Sequence, residues 1–118
     1  TLAARLPETG LHGMSSFGPR AAARPAPGLR QVNTHVDLID WRGARGFVGV
    51  AAALDQAVRH LAARREGGAD AGEPTGWLTH HLQHDAAAWR FLEALLERTR
   101  SNPQLRWIDA QALFGRGA

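Results

Sequence analysis

Apolar and polar positions change rhythm several times along the chain, and each change marks an element. Leu2-Ala3-Ala4-Arg5-Leu6 reads as a helical turn, broken by Pro7 and closed near Gly10. Leu11 to Phe17 is short and mixed, a candidate strand. Arg30-Gln31-Val32-Asn33-Thr34-His35-Val36 alternates polar with β-branched residues and predicts another strand. From Phe47 to Glu66 the period lengthens to that of a helix. Phe47, Val50, Leu54, Val58 and Leu61 recur at three- and four-residue steps, opposite Asp55, Gln56, Arg59, Arg64 and Arg65. Thr75 to Thr79 predicts a short apolar strand. Asp85 is placed to cap a helix running to about Arg100, with Ala88, Phe91, Leu92, Leu95, Leu96 and Thr99 as a broad stripe. Leu105 to Ile108 reads as a last strand, and Asp109 caps a turn through Phe114.

Between these elements lie two breaks. Gly18 to Gly28 holds Pro19, Pro25 and Pro27, and Gly67 to Pro74 is rich in glycine. Strands that alternate with crossover helices predict an α/β fold with parallel strands. A length of 118 residues allows one domain at most.

Composition narrows the chemistry. There is no Cys, which excludes disulfides and cysteine-based zinc or redox centres. No apolar run approaches the roughly 20 residues of a membrane span, and no signal-peptide pattern is present. A bacterial, cytoplasmic protein without a membrane partner is expected. The 14 basic residues are all Arg, which with 11 acidic residues gives a net charge of +3. They are scattered, as in a chain from a GC-rich genome, so a nucleic-acid partner is not expected.

The densest chemical stretch is Trp77-Leu78-Thr79-His80-His81-Leu82-Gln83-His84-Asp85. Three histidines there suggest a small metal-binding module, although the H-E-x-x-H pattern of metalloprotease helices is absent. The competing reading is that one or two of them cap or pack at a helix start. Asp37 and Asp40, next to Trp41, suit acid/base work, orientation of a histidine, or plain turn capping. Strand ends of one parallel sheet share a rim. The end of the Val32–Val36 strand and the end of the Trp77–Thr79 strand should therefore face each other, and an Asp on one beside a His on the other makes a dyad. The carboxylate would fix the imidazole tautomer and hold its proton for donation. Trp41 and Trp77 flank these groups as possible pocket walls, whereas Trp89 and Trp107 read as packing.

Two segments together carry a family resemblance. Asn33-Thr34-His35-Val36-Asp37-Leu38-Ile39-Asp40-Trp41 resembles the D-x-x-D-W motif of polysaccharide deacetylases of the carbohydrate esterase family 4 type, which include chitooligosaccharide deacetylases. Leu78-Thr79-His80 resembles the L-x-H motif that follows it in the same family. The resemblance implies an irregular (β/α) barrel and metal-assisted hydrolysis of N-acetyl groups on polysaccharides or amino sugars. It implies His80 as the acid that protonates the leaving amine, with His81 as the alternative. It implies Asp40 as the carboxylate tuning that acid, with Asp37 as the alternative, and Trp41 and Leu78 as lining of the acetyl pocket.

The family's earlier motifs, which carry the base and the Asp-His-His metal set, are not in this chain. Residues 1–118 thus resemble the C-terminal portion of such a barrel, one partial domain with a Pro-rich loop at 18–28. The metal, commonly zinc, would be held by ligands outside the chain, with none bound by the chain alone. Isolated, the chain is expected to lack deacetylase activity. It is expected to associate with a missing N-terminal half or with itself, because a partial barrel leaves strand edges and apolar helix faces uncovered. The other possibility is a scaffold or binding domain of the same fold without the chemistry.

Overall fold

A computed structural model describes residues 1–115. Its elements are α1 (Leu2–Arg5) running into a 3-10 turn (Leu6–Thr9), β1 (Gly13–Met14), β2 (Arg30–Gln31), β3 (Val36–Asp37), α2 (Val50–Glu66), β4 (Trp77–Leu78), α3 (Ala86–Arg100) and α4 (Ala110–Phe114). Helices and short parallel strand pairs mix, so the fold is α/β. β1 pairs with β2, and β3 pairs with β4 with Val36 opposite Trp77 and Asp37 opposite Leu78. The segment from Arg30 to Asp37 therefore has two parallel neighbours, one beside its first half and one beside its second. The single strand expected over Arg30–Val36 is interrupted where the Asn33 N–H donates to the Glu73 side chain, 2.9 Å away, and not to a strand. Leu105–Ile108, expected as a strand, forms none.

The core is small. Val36, Leu38, Ala53, Ala57 and Phe91 are buried together, with Phe47, Val48, Trp77, Leu92 and Leu95 packed around them. The Phe91 ring lies 5.4 Å from that of Phe47 and 5.9 Å from that of Trp77. α3 presents its stripe as expected, starting from Asp85, whose side chain accepts from the Ala88 N–H at 2.9 Å.

α2 is turned differently from its hydrophobic pattern. Val50 and Val58 remain 54% and 60% exposed, and Leu54 and Leu61 are exposed beside them. The face that packs on β3 is Ala53, Ala57 and His60. Two physical causes act together. Alanines let the helix axis approach the strand closely. The same rotation also brings Gln56 to β3, where its Oε1 accepts from the Asp37 N–H at 2.9 Å and its Nε2 donates to the Asp37 carbonyl at 3.1 Å. That amide stands where a further strand would, satisfying backbone groups that burial would otherwise leave unpaired. No helix among the described residues is long and apolar enough to cross a membrane.

Candidate functional site

The parallel register of β3 and β4 builds the site. Asp37 lies opposite Leu78, and paired residues of neighbouring strands point to one face. Two residues beyond Leu78, His80 Nε2 comes 3.2 Å from Asp37 Oδ1. The approach lies off the hydrogen-bonding axis, so it is a close contact and not an aligned bond. Asp37 is held from three further directions. Its Oδ1 accepts from the Ile39 N–H at 3.0 Å, its Oδ2 from the Trp41 indole N–H at 3.1 Å, and Gln56 clamps its backbone. The Trp41 ring stands edge-on to the His80 ring, with centroids 5.0 Å apart. The His80 and Asp37 side chains remain 28% and 23% exposed, although His80 Nε2 itself is buried against Asp37.

Asp37, and not Asp40, is thus the carboxylate beside His80. Asp40 is exposed and organises a turn, where its Oδ1 accepts from the Gly43 N–H at 3.0 Å. Leu78 is half-buried next to the dyad. His81 is exposed and takes part in no described hydrogen bond or ion pair. His84 is not free to join its neighbours on a metal, since its Nε2 accepts from the His80 backbone N–H at 3.0 Å. Burial pushes the His84 imidazolium below its ordinary value, helped by the charges of His80 and His81 and opposed by Asp85. A neutral ring keeps that acceptor available, so His84 shapes the loop that carries His80.

Beside Asp37 lies a depression of about 390 Å³ lined by Phe17, Asp37, Ile39, Asp40, Trp41, Arg42, Val48 and Gln56. That volume falls at the small end of ligand pockets. Phe17 and Trp41 are 57% and 42% exposed and offer aromatic surface at its edge.

A second cluster escaped the sequence reading. Glu73, from the Gly/Pro loop, is fully buried. Its Oε1 accepts from the Arg20 N–H at 3.0 Å and from His35 Nε2 at 2.8 Å, and its Oε2 from the Asn33 N–H at 2.9 Å. Burial alone would raise the Glu73 pKa, but the hydrogen bonds from Arg20, Asn33 and His35 win and hold it below its usual range. Arg20 also donates to Asp70 at 2.8 Å. His60 stacks on His35 with ring centroids 3.5 Å apart, and its Nδ1 meets Thr75 Oγ1 at 2.7 Å. Only His60 left a trace in sequence, as a polar residue in phase with Ala53 and Ala57. Glu73 left none, because a lone acid in a loop looks solvated.

His35, His60 and Glu73 offer three donor atoms within 4.8 Å of one another. As arranged they do not fit a metal ion. His35 Nδ1 accepts from the Gly76 N–H at 2.9 Å, so the ring's proton sits on Nε2 and points at Glu73. The two rings are also parallel to within 9°, so their lone pairs run side by side and do not converge. The cluster is a buried polar staple that joins the Pro-rich loop, β3, α2 and the Gly/Pro loop.

No family model matches the chain, and neither a curated protein nor a solved structure does.

Proposed function

We propose that this chain is the acid-bearing, C-terminal part of a metal-dependent deacetylase that hydrolyses N-acetyl groups on a polysaccharide or amino sugar. The observation that carries the reading is the convergence of Asp37, Trp41 and His80 at the ends of two parallel strands. In this reading His80 donates a proton to the departing amine. Asp37 orients the ring and stabilises its protonated form, taking the place first given to Asp40. Trp41 holds Asp37 by its indole N–H and walls the ligand side, and Leu78 lies opposite Asp37 on the neighbouring strand. The metal, zinc in the family resembled, would polarise the acetamido carbonyl, and its ligands belong to the missing portion of an irregular (β/α) barrel. The partners are then the saccharide and that missing portion, or a second copy in its stead.

The test is release of free amine from N-acetylated oligosaccharides, assayed in the protein as its gene encodes it. His80→Asn should lower turnover by about 100-fold or more, the scale of a lost general acid, with metal content unchanged. Loss of metal with the histidine, or unchanged turnover, would overturn the assignment. Turnover absent from the wild type, with intact saccharide binding, would instead favour a binding domain of the same fold.

A further inference from the structure

One polar side chain of α2 reaches the site through the backbone of Asp37. Gln56 is half-buried, and its amide meets both peptide groups of that residue. Its Oε1 accepts from the Asp37 N–H at 2.9 Å and its Nε2 donates to the Asp37 carbonyl at 3.1 Å. A longer donation to the Ala52 carbonyl, at 3.4 Å, ties the amide back to its own helix. The strand needs such a partner there. The chain after β1 accompanies it only as far as Thr34, which Phe17 bridges and whose carbonyl accepts from the Gly18 N–H at 2.8 Å. Asp37, further along, has β4 on one side and this single amide for its own N–H and carbonyl.

The orientation of α2 and this contact go together. Successive helical residues turn by about 100°, so Gln56 stands roughly 200° round the axis from both Leu54 and Val58. A helix that buried Leu54 and Val58 against β3 would carry Gln56 into solvent and leave the Asp37 backbone unpaired. The observed helix leaves those two residues 42% and 60% exposed and turns Gln56 inward. Asp37 is thereby held at both ends. Its peptide groups lie in the plane of the sheet, and its carboxylate leaves that plane. There Oδ2 accepts from the Trp41 indole N–H at 3.1 Å, and Oδ1 lies 3.2 Å from His80 Nε2. Rolling the Asp37 backbone would swing the carboxylate away from both. Gln56 also borders the depression, together with Asp37 and Trp41.

We propose that Gln56 is a positioning residue of the candidate site: through the Asp37 backbone it sets where the carboxylate stands relative to Trp41 and His80. Its effect on turnover rests on the acid/base reading; its effect on Asp37 does not. The Trp41 indole N–H reports the carboxylate's place directly, by NMR of the isotope-labelled chain. The Trp107 indole N–H is the control, since it donates to Thr99 Oγ1, outside the site, at 2.8 Å. Gln56→Met keeps the length of the side chain and removes both bonds. Gln56→Glu keeps an acceptor for the Asp37 N–H and loses the donor, so it is the milder variant should the first fail to fold. In Gln56→Met the Trp41 indole N–H should move upfield and exchange with solvent about tenfold faster, the scale of a lost hydrogen bond to a charged group. Trp107 should not change, and Gln56→Glu should show the same effect in smaller measure. In the protein as its gene encodes it, Gln56→Met should also lower kcat for amine release by about tenfold with KM unchanged. A Trp41 signal that stays in place in both variants would overturn this inference and leave the acid/base reading standing. Equal changes at Trp41 and Trp107 would overturn it too, since they mean a general loosening. So would a displaced Trp41 signal with kcat unchanged, because the carboxylate's place would then not matter to the reaction. A displaced Trp41 signal in a protein whose wild type releases no amine would overturn the acid/base reading and leave Gln56 as the residue that places Asp37.

Discussion

His60 is the residue whose charge the fold tolerates least, and pH should expose it. It is 5% exposed, stacked on His35, and its Nε2 is buried without a hydrogen-bond partner. Burial lowers its pKa from the ordinary 6.5 to about 4, opposed by Glu73 and assisted by Arg64. The unfolded chain therefore binds a proton below pH 6.5 that the folded chain refuses until about pH 4. Stability from this residue is fully present above the unfolded value and declines as pH falls towards the folded one. One pKa unit is worth about 1.4 kcal/mol, so by about pH 5 the decline reaches about 2 kcal/mol. With a urea m value of about 2 kcal/mol/M, the unfolding midpoint should drop by about 1 M between pH 7.5 and pH 5.

His60→Gln is the control. A neutral amide can still meet Thr75 Oγ1, but it cannot titrate. Its stability should change little at pH 7.5, and its midpoint should fall by much less than the wild type's down to pH 5. His84, whose pKa is also lowered, contributes a fall of the same sign in both proteins, so the difference between the two curves isolates His60. Parallel curves would refute the reasoning, since they would mean that His60 accepts its proton equally well folded and unfolded.

Other consequences can be measured alongside. Asp37→Asn should lower amine release by about 100-fold in the protein as its gene encodes it, while Asp40→Asn should lower it by less than about tenfold; the reverse order would return the partner role to Asp40. At Gly76 an added Cβ would meet the Asn33 carbonyl oxygen at 2.5 Å, so Gly76→Ala should destabilise by about 2 kcal/mol in urea unfolding. The accessible surface of 8183 Å² exceeds the roughly 6,300 Å² of a folded monomer of this mass. The Val50, Leu54, Val58 and Leu61 stripe accounts for part of the excess. If this stripe is covered by a second copy, the wild type should sediment above monomer mass and Leu54→Glu with Val58→Glu as monomer; a monomeric wild type would refute the idea.

Local signals were legible where one residue carries its own physics. Asp85 and Asp109 cap α3 and α4 as their spacing predicts, and Pro7 and Gly10 end the first helical stretch. The shared rim of the two strand ends followed from parallel pairing, and so did the meeting of an Asp with His80. Which Asp was not legible. Asp37 and Asp40 differ by three residues, and only the register of β3 against β4 decides which one lies opposite Leu78. The rotation of α2 was hidden for a related reason. Periodicity marks the larger apolar residues as the inner face, yet alanines that permit close approach and a glutamine that replaces a strand are worth more at that position. The Glu73 staple left almost no pattern, because its members come from four segments and each looks ordinary in isolation.

That staple explains why the site holds its geometry. Glu73 fixes the His35 proton on Nε2, which leaves Nδ1 to receive the Gly76 N–H. Gly76, with no Cβ, then lies against the Asn33 and Thr34 backbone, and its carbonyl accepts from the His35 and Val36 N–H groups at 2.7 and 3.1 Å. Those bonds seat β4 on β3 in the one register that puts Leu78 opposite Asp37. A slip of one residue would turn Leu78 and His80 to the opposite face, and the contact between His80 and Asp37 would be lost. The buried charge therefore acts on the candidate site through strand register, without touching a ligand. Protonating Glu73 removes an acceptor shared by Arg20, Asn33 and His35, and its depressed pKa makes this a low-pH event whose stabilisation is lost as pH falls through the folded value. Acid should then loosen β4 and scatter His80 from Asp37 before the α2–α3 core unfolds.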